Sequence, residues 1–585
     1  MNDLSTFELL PDEIFLEIYR YLLCSDILYS FMNLNQRFTR TLAHYRYHLT
    51  FHKTSIDKFH SICTTIIPQI GFQIRSLVLD CCYSVIQHPL FIRYFGDKMS
   101  LIFPNLERIS LVSYQSEQLQ AFLQTLNNLQ SLVEIQLYSL FPIEESQQFS
   151  LTRVLFQANN RRLTTIIIDD HSSCLTFDTA DRYLNIIRLQ VKITSLTDLP
   201  NLFSAFPNVQ SLHLTIKESE TVPSEFIRST LTPLVYLKDF EFHSFGRNWD
   251  FNELAHLLIA LPNIEIFSLF LFGDDEPLIY GTLISSLFPS TLRQFHYAVH
   301  YTSYRSPEID DEAIISSWSS YRIAYAQDDK DRFLHTIPWR FTQVHCLPLT
   351  NQIIGDEKHS MNGYDRSVEQ VDLRLEKNAA CGKSLAILSQ CRRVRELIIG
   401  LQDKSEEKQT TISSLPRLSR LIQIWLYGLI PSDLSFFTMI LKSAPNLFRL
   451  DLSYEHLSRV LENEQICQIL SQRITSLAIF ENDPNSSTIT LKEEHLPRIA
   501  SFFPKVQDIY VNLAHLIGKN SSDSVLICLL KSFEHHRMIG LCVDAEFCEQ
   551  MTKDTERWLR EKTVLSQRSF YAEYCNKLNR LLVWL

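Results

Sequence analysis

"FPNLERISLVSY", residues 103–114, decides the fold because it comes back. The same order of residue types recurs as "FPNVQSLHLTIK" (206–217), "LPNIEIFSLFLF" (261–272), "APNLFRLDLSYE" (444–455) and "FPKVQDIYVNLA" (503–514). Each string holds an apolar-x-x-apolar-x-apolar core, and recurrence of this kind marks stacked structural units. Following the template places a central apolar residue at Leu77, Ile109, Ile135, Ile166, Leu189, Leu212, Phe240, Phe267 and Phe295. The series resumes at Leu347, Val371, Leu397, Ile424, Leu450, Leu477, Ile509 and Leu541. Intervals are mostly 23 to 32 residues; the gap of 52 between Phe295 and Leu347 leaves room for a further unit, with "WSSYRI" (318–323) as its candidate.

Within one unit, Leu450 and Leu452 alternate and so share one face of a short strand. Between strands come stretches with helical spacing, such as "SEQLQAFLQTLNNL" (116–129) and "DLSFFTMILKSAP" (433–445). The Pro-Asn pair closes such a helix, because the residue before proline is pushed out of the α region. A strand with its helix cannot bury its own apolar faces, whereas units stacked side by side bury a continuous core. The pattern resembles the leucine-rich repeats of the ribonuclease-inhibitor type over roughly residues 70–550. It departs from them where the family carries Asn or Cys after the strand, since Tyr114, Lys217 and Glu455 stand there. The resemblance implies an α/β solenoid curved into a horseshoe, with parallel strands on its concave face. The competing expectation is an ordinary α/β protein of unrelated βα units.

A second feature lies at the start, in "LLPDEIFLEIYRYLLCSDILYSFMNLNQRFTRTL" (9–42). Pro11 suits a first helical turn, and Asp12 and Glu13 suit its positive end. Ile14, Ile18 and Leu22 form a stripe at i, i+4 and i+8, with Phe15 and Tyr21 beside it. Ser25 is placed to cap a second helix bearing Ile27, Leu28 and Phe31, and a third helix holds Phe38 and Leu42. Three short helices are too small a bundle to bury all this apolar surface. The string resembles the F-box, through Leu10, Pro11, Glu13, Ile14, Ile18, Leu22, Asp26, Ile27, Arg37 and Phe38. It departs at "LNQRF", where many members have Val-Cys-x-x-Trp.

That resemblance implies docking to the adaptor subunit of SCF-type ubiquitin ligases, and through it to a cullin. Leu10, Pro11, Ile14, Ile18 and Leu22 would be the anchors, and Ile27, Leu28 and Phe38 would extend the contact. The repeats would then hold the protein to be ubiquitinated. Trp425, Tyr427, Phe480 and Tyr510 fall on strands of nearby units, with Arg449 on a strand between, and these are residue types enriched at interface centres. They form the expected target-binding patch. The alternative function is a protein-binding scaffold outside any ligase, its first helices merely capping the solenoid.

Composition bounds the rest. A net charge of −11 argues against nucleic-acid binding. No apolar run approaches the length of a membrane span. Thirteen scattered cysteines, with no signal-peptide pattern, fit reduced thiols and a cytosolic or nuclear protein. No catalytic or phosphate-loop motif is found, and the two His and two Cys within "HHRMIGLCVDAEFC" (535–548) lack a zinc spacing. The expectation is a non-catalytic subunit without metal or cofactor. Its expected divisions are an F-box domain (1–50), a linker or cap (51–72), the solenoid (73–550) and C-terminal capping helices (551–585), with Trp558, Leu578, Leu582 and Trp584 facing inward.

Overall fold

The computed structural model describes residues 10–585 apart from 82–86, 115, 141–144, 218–230, 303–308, 328–330, 342, 347–367, 376–387, 389–390, 392, 402–414, 429–433, 481–490, 514–518 and 577. The chain divides into two compact units: Met1–Phe242 with Ile259–Ile264 and Trp584–Leu585, and His243–Leu258 with Glu265–Val583.

In the first unit, helices α1 (Asp12–Tyr19), α2 (Cys24–Phe31) and α3 (Gln36–Thr41) precede strands β1 (His48–Thr50), β2 (Ser76–Asp80), β3 (Arg108–Val112), β4 (Glu134–Tyr138), β5 (Thr165–Ile168), β6 (Arg188–Ile193) and β7 (Ser211–Lys217). These strands pair in sequence order and run parallel. Leu49, Leu77, Ile109, Ile135, Ile166, Leu189 and Leu212 stand opposite one another, one per strand. None of these is more than 2% exposed. Burying one such side chain contributes about 1.5–3 kcal/mol. Strand β8 (Asp239–Trp249), which carries Phe240, is where one unit gives way to the other.

The second unit holds β9 (Ile266–Gly273), β10 (Gln294–Thr302), β11 (Ile323–Gln327) and β12 (Asp331–Thr336). It continues with β13 (Gln343–Cys346), β14 (Gln370–Leu375), β15 (Glu396–Leu401), β16 (Gln423–Gly428), β17 (Arg449–Ser453), β18 (Ser476–Phe480), β19 (Asp508–Asn512) and β20 (Gly540–Asp544), then β21 (Tyr571–Cys575) and β22 (Arg580–Trp584). From β13 to β20 the pairing is again parallel and sequential. Val344, Val371, Leu397, Ile424, Leu450, Leu477, Ile509 and Leu541 share one rung. The result is a mixed α/β array of parallel strands that follows the sequence repeat. Leu347 lies outside the described residues, and Val344 takes the register expected of it.

The proline-asparagine pairs explain how neighbouring units are fixed. Phe103, Phe206, Ala444 and Phe503, each followed by proline, end their helices at φ between −107 and −123° and ψ between 54 and 77°, outside the α region. The next residue then reaches back. Asn105 Nδ2 donates to the Phe72 carbonyl at 2.7 Å, Asn208 to Leu184 at 2.9 Å, Asn263 to Val235 at 2.8 Å and Asn446 to Ser419 at 2.6 Å. Where the repeat has Lys505, its ammonium does the same at the Gln472 carbonyl, 2.9 Å away.

Several expectations are corrected. Residues 51–72 are no linker: β1 opens a strand-helix unit, and Phe59, Ile62, Ile66, Ile67 and Ile70 on the following helices are buried. A strand of three residues shows too little alternation to be read. The gap near 320 holds no parallel repeat. Instead β12 pairs antiparallel with both β10 and β11. "DRFLHT" shows no alternation in the sequence, because Arg332, His335 and Thr336 are buried beside Phe333 and Leu334. The tail after Met551 forms one helix, Thr555–Lys562, and then β21 and β22 joined by a turn too short for a parallel pair. Leu578 is exposed in that turn, while Trp558, Leu582 and Trp584 are buried as expected.

Trp584 belongs to the first unit and ties down its N-terminal part. Its indole N–H donates to the Thr54 carbonyl at 2.9 Å, and its ring meets that of Phe59 edge-on at 5.3 Å. Replacing Trp584 by Ala is expected to cost about 3–5 kcal/mol, measured as a lower urea midpoint for the transition that contains the first unit.

His335 is 2% exposed, and burial lowers its pKa to about 4. The unfolded chain takes up the proton first, so this contribution is complete above about pH 6.5 and is lost as pH falls toward 4. The second unit is expected to lose roughly 3 kcal/mol over that window. His335→Phe should flatten the slope of unfolding free energy against pH.

Candidate functional site

The first surface is α1. Pro11 precedes it, with Asp12 and Glu13 in its first turn. Phe15 and Tyr19 point inward and meet Ile27, Phe31, Phe38 and Leu42, a core with Leu10, Ile18, Met32 and Tyr45 at its margin. Phe15 and Phe38 meet edge-on at 4.8 Å, and Tyr19 and Phe31 at 5.1 Å. Asn35 caps α3, its Oδ1 accepting from the Arg37 and Phe38 amides at 2.9 and 3.0 Å. Arg37 locks α3 to the start of α1: its Nε donates to Asp12 at 2.6 Å, Nη2 donates to the Leu10 carbonyl, and the guanidinium lies 5.2 Å over Phe15. Ser25 does not cap α2; it is buried inside the first turn, where its Oγ accepts from the Thr54 hydroxyl at 3.2 Å.

This core divides the expected docking residues. Ile14 is 45% exposed and Leu22 39%, Pro11 is exposed, and Leu10 and Ile18 are half-buried. Ile27, Leu28 and Phe38 are at most 1% exposed, so they hold the helices together and offer nothing to a partner. The F-box resemblance implied that they extend the contact, and packing against Phe15 and Tyr19 turns them inward. Of the two residues read beside the stripe, Tyr21 is 81% exposed and Phe15 is buried, and sequence reasoning missed Leu16 as an outward residue.

The second surface lies on β16–β19. Strand alternation sends Ile424, Leu450, Leu477 and Ile509 into the core and Trp425, Asp451, Ala478 and Tyr510 to the opposite face in one rung. The structure brings the expected aromatic residues together. Trp425 stacks on Phe480 at 5.9 Å, Phe480 meets Tyr510 at 5.3 Å, and Tyr427 stands edge-on to Trp425 at 6.4 Å. The Trp425–Phe480 pair bridges β17, whose Asp451 and Ser453 are buried on this face. Gly400 makes room for Tyr427, since a Cβ there would lie 2.3 Å from the Tyr427 Cζ.

The polar groups are held by the scaffold. Arg449 Nε contacts both Asp451 carboxylate oxygens at 3.0 and 3.1 Å, and the Gln423 amide donates to the same carboxylate. Burial holds that carboxyl above the usual carboxylate range, against the opposing pull of Arg449. Tyr510 donates to Asp544 at 2.6 Å, and Arg580 grips the same carboxylate at 2.5 and 2.7 Å. Burial, then the Asp544 bond, pushes the Tyr510 hydroxyl well up. These groups fix ring positions and are not arranged as a nucleophile with its base.

The second unit also carries an aromatic cluster that sequence reasoning did not single out, and it is closed. Trp339 and Phe341, after β12, meet His335 at 5.0 Å, His243 at 5.2 Å and Phe270 at 6.0 Å. Phe270, Trp339 and Phe341 are at most 4% exposed, whereas Trp425 is 41% exposed. Among the described residues, the chain thus covers one aromatic face itself and leaves the other open.

No family model matches the chain, and no curated protein matches it. Among solved structures it is similar to a leucine-rich-repeat protein of Leptospira interrogans, at 15% identity over 76% of this chain and 98% of that one, with a TM-score of 0.26. At that score the likeness adds nothing to the geometry. Among the described residues, no helix is long and apolar enough to cross a membrane.

Of the six tryptophans, Trp249, Trp318, Trp339, Trp558 and Trp584 are at most 7% exposed and Trp425 stands apart at 41%. Trp425→Phe is expected to remove the component of the fluorescence readily quenched by acrylamide, leaving the protected remainder unchanged.

Proposed function

We propose that the chain is a substrate-recognition subunit of an SCF-type ubiquitin ligase, built from an N-terminal F-box and a leucine-rich-repeat array. The observation that carries the proposal is the outward stripe of α1. The bundle completes its own core through Phe15, Tyr19, Ile27, Phe31, Phe38 and Leu42, and still presents Ile14, Leu22 and Tyr21 to solvent. A helix needed only as a cap would have no use for that surface, and a cluster of outward aliphatic residues is what a buried docking interface requires. The resemblance of this string to the F-box supports the adaptor subunit as its partner, and a cullin beyond it. The open aromatic face of β16–β19 then serves to hold the target protein. The subunit catalyses nothing itself. It raises the local concentration of the target's lysines near a charged conjugating enzyme. The proposed setting is the cytoplasm or nucleus, with no nucleic acid, membrane, metal or cofactor involved.

The alternative is a protein-binding scaffold acting outside a ligase, and co-purification separates the two. Wild type is expected to recover the adaptor. Ile14→Asp with Leu22→Asp, both on exposed positions, should cut recovery at least about tenfold while circular dichroism and the unfolding midpoint stay as they were. Recovery that is absent from wild type, or undiminished in the double variant, removes the ligase reading. Phe38→Ala is the contrasting control, since it should lose stability by about 3–5 kcal/mol along with adaptor binding.

A further inference from the structure

The open face of β14–β20 has a chemical character beyond its aromatic rings. One rung carries Glu396, Gln423, Arg449, Ser476 and Asp508. The next carries Asp372, Ile398, Trp425, Asp451, Ala478, Tyr510 and Cys542. Asp544 follows beside Asn512. Arg374 stands in register with Gly400 on this face, and the carboxylates of Asp372, Glu396, Asp451, Asp508 and Asp544 outnumber it together with the guanidiniums of Arg449 and, from β22, Arg580. Both of these cations are already gripped by carboxylates, Arg449 by Asp451 and Arg580 by Asp544.

The carboxylates are set beside the rings. The Tyr427 hydroxyl reaches Asp372 at 3.5 Å, the Tyr510 hydroxyl reaches Asp544 at 2.6 Å, and Asp451 neighbours Trp425 in register. With both tyrosine hydroxyls directed at acids, the patch sets aromatic rings among carboxylates. A ring face attracts a cation through its quadrupole. This face already displays that chemistry, because the Arg580 guanidinium lies 5.8 Å over the Tyr510 ring while held by Asp544. Large and small residues also alternate across the strands, with Gly400 and Ala478 set among Tyr427, Trp425, Phe480 and Tyr510.

We infer that this face takes an extended segment of the target protein bearing Arg or Lys side chains, with a cationic group laid against Trp425 and Phe480. The inference rests on the proposal that β16–β19 is the target-binding face. It adds the chemistry that selects the target, and the whole-chain charge of −11 acts in the same direction by steering basic segments toward the protein.

The test is selection from a displayed random-peptide library on the purified full-length chain, with counter-selection on Trp425→Ala/Phe480→Ala. The fold of that double variant is checked by circular dichroism and its adaptor recovery by co-purification. Winning peptides are expected to be rich in Arg and Lys. Replacing those residues by Gln should weaken binding about tenfold, as should Trp425→Ala in the protein, and raising salt should weaken it further. Gly400→Val, which drives Tyr427 from its place without touching a charge, should also weaken it. Winners that are proline-rich, apolar or acidic overturn the inference. So do winners that bind the double variant equally well, or a library that yields none. The ligase proposal is judged separately, because adaptor recovery by wild type and by the α1 variant does not depend on the peptide result.

Discussion

A single strand with its helix has nothing to pack against, and every part of this chain answers to that fact. The apolar residue at the centre of each strand meets its counterpart on the next, from Leu49 to Leu212 in the first unit and from Val344 to Leu541 in the second. A strand slipped by one residue would send that ladder to the solvent face and bring Trp425, Asp451 and Tyr510 into the core. Register is therefore fixed by burial, and the Asn105, Asn208, Asn263 and Asn446 amides, each clasping a carbonyl of the preceding turn, fix the spacing at the other end of the unit. Because each contribution is local and repeated, residues on the open face are free to vary without cost to the array.

The N-terminal helices show a division of labour at the scale of one turn. Phe15 and Tyr19 belong to the core, and Ile14 and Leu22, one or three positions away, do not. Arg37 makes the arrangement rigid by tying α3 to the first turn of α1 through Asp12 and the Leu10 carbonyl. The stripe is thus held on a small and well-fastened bundle.

The same logic distinguishes the two aromatic clusters. Trp339 and Phe341 fold back on Phe270, His243 and His335, and the chain spends its own residues to keep that face dry. Over β16–β19 no described side chain performs that service, and Trp425 keeps a large share of its surface in water.

Periodicity alone determined the parallel strands β2–β10 and β14–β20. The template named the core residue on each of these, because a side chain buried between neighbours must be apolar whatever surrounds it. It also put Trp425, Tyr427, Phe480 and Tyr510 on one face, since strand alternation requires it. What it could not determine was anything set by partners distant in sequence. Ile27, Leu28 and Phe38 carry the same apolar signal as Ile14 and Leu22, and only packing against Phe15 and Tyr19 decided which were core. The β10–β12–β11 hairpin was hidden because burial on both faces erases alternation. The tail was taken for helix because "RLLVW" is apolar throughout, and it became a strand ending in Trp584, packed on Phe59. The asparagines of the Pro-Asn pairs read as helix stops, and only the structure shows the carbonyls they hold. Local alternation is written in the sequence, whereas the choice between two equally apolar surfaces is made by what each one meets.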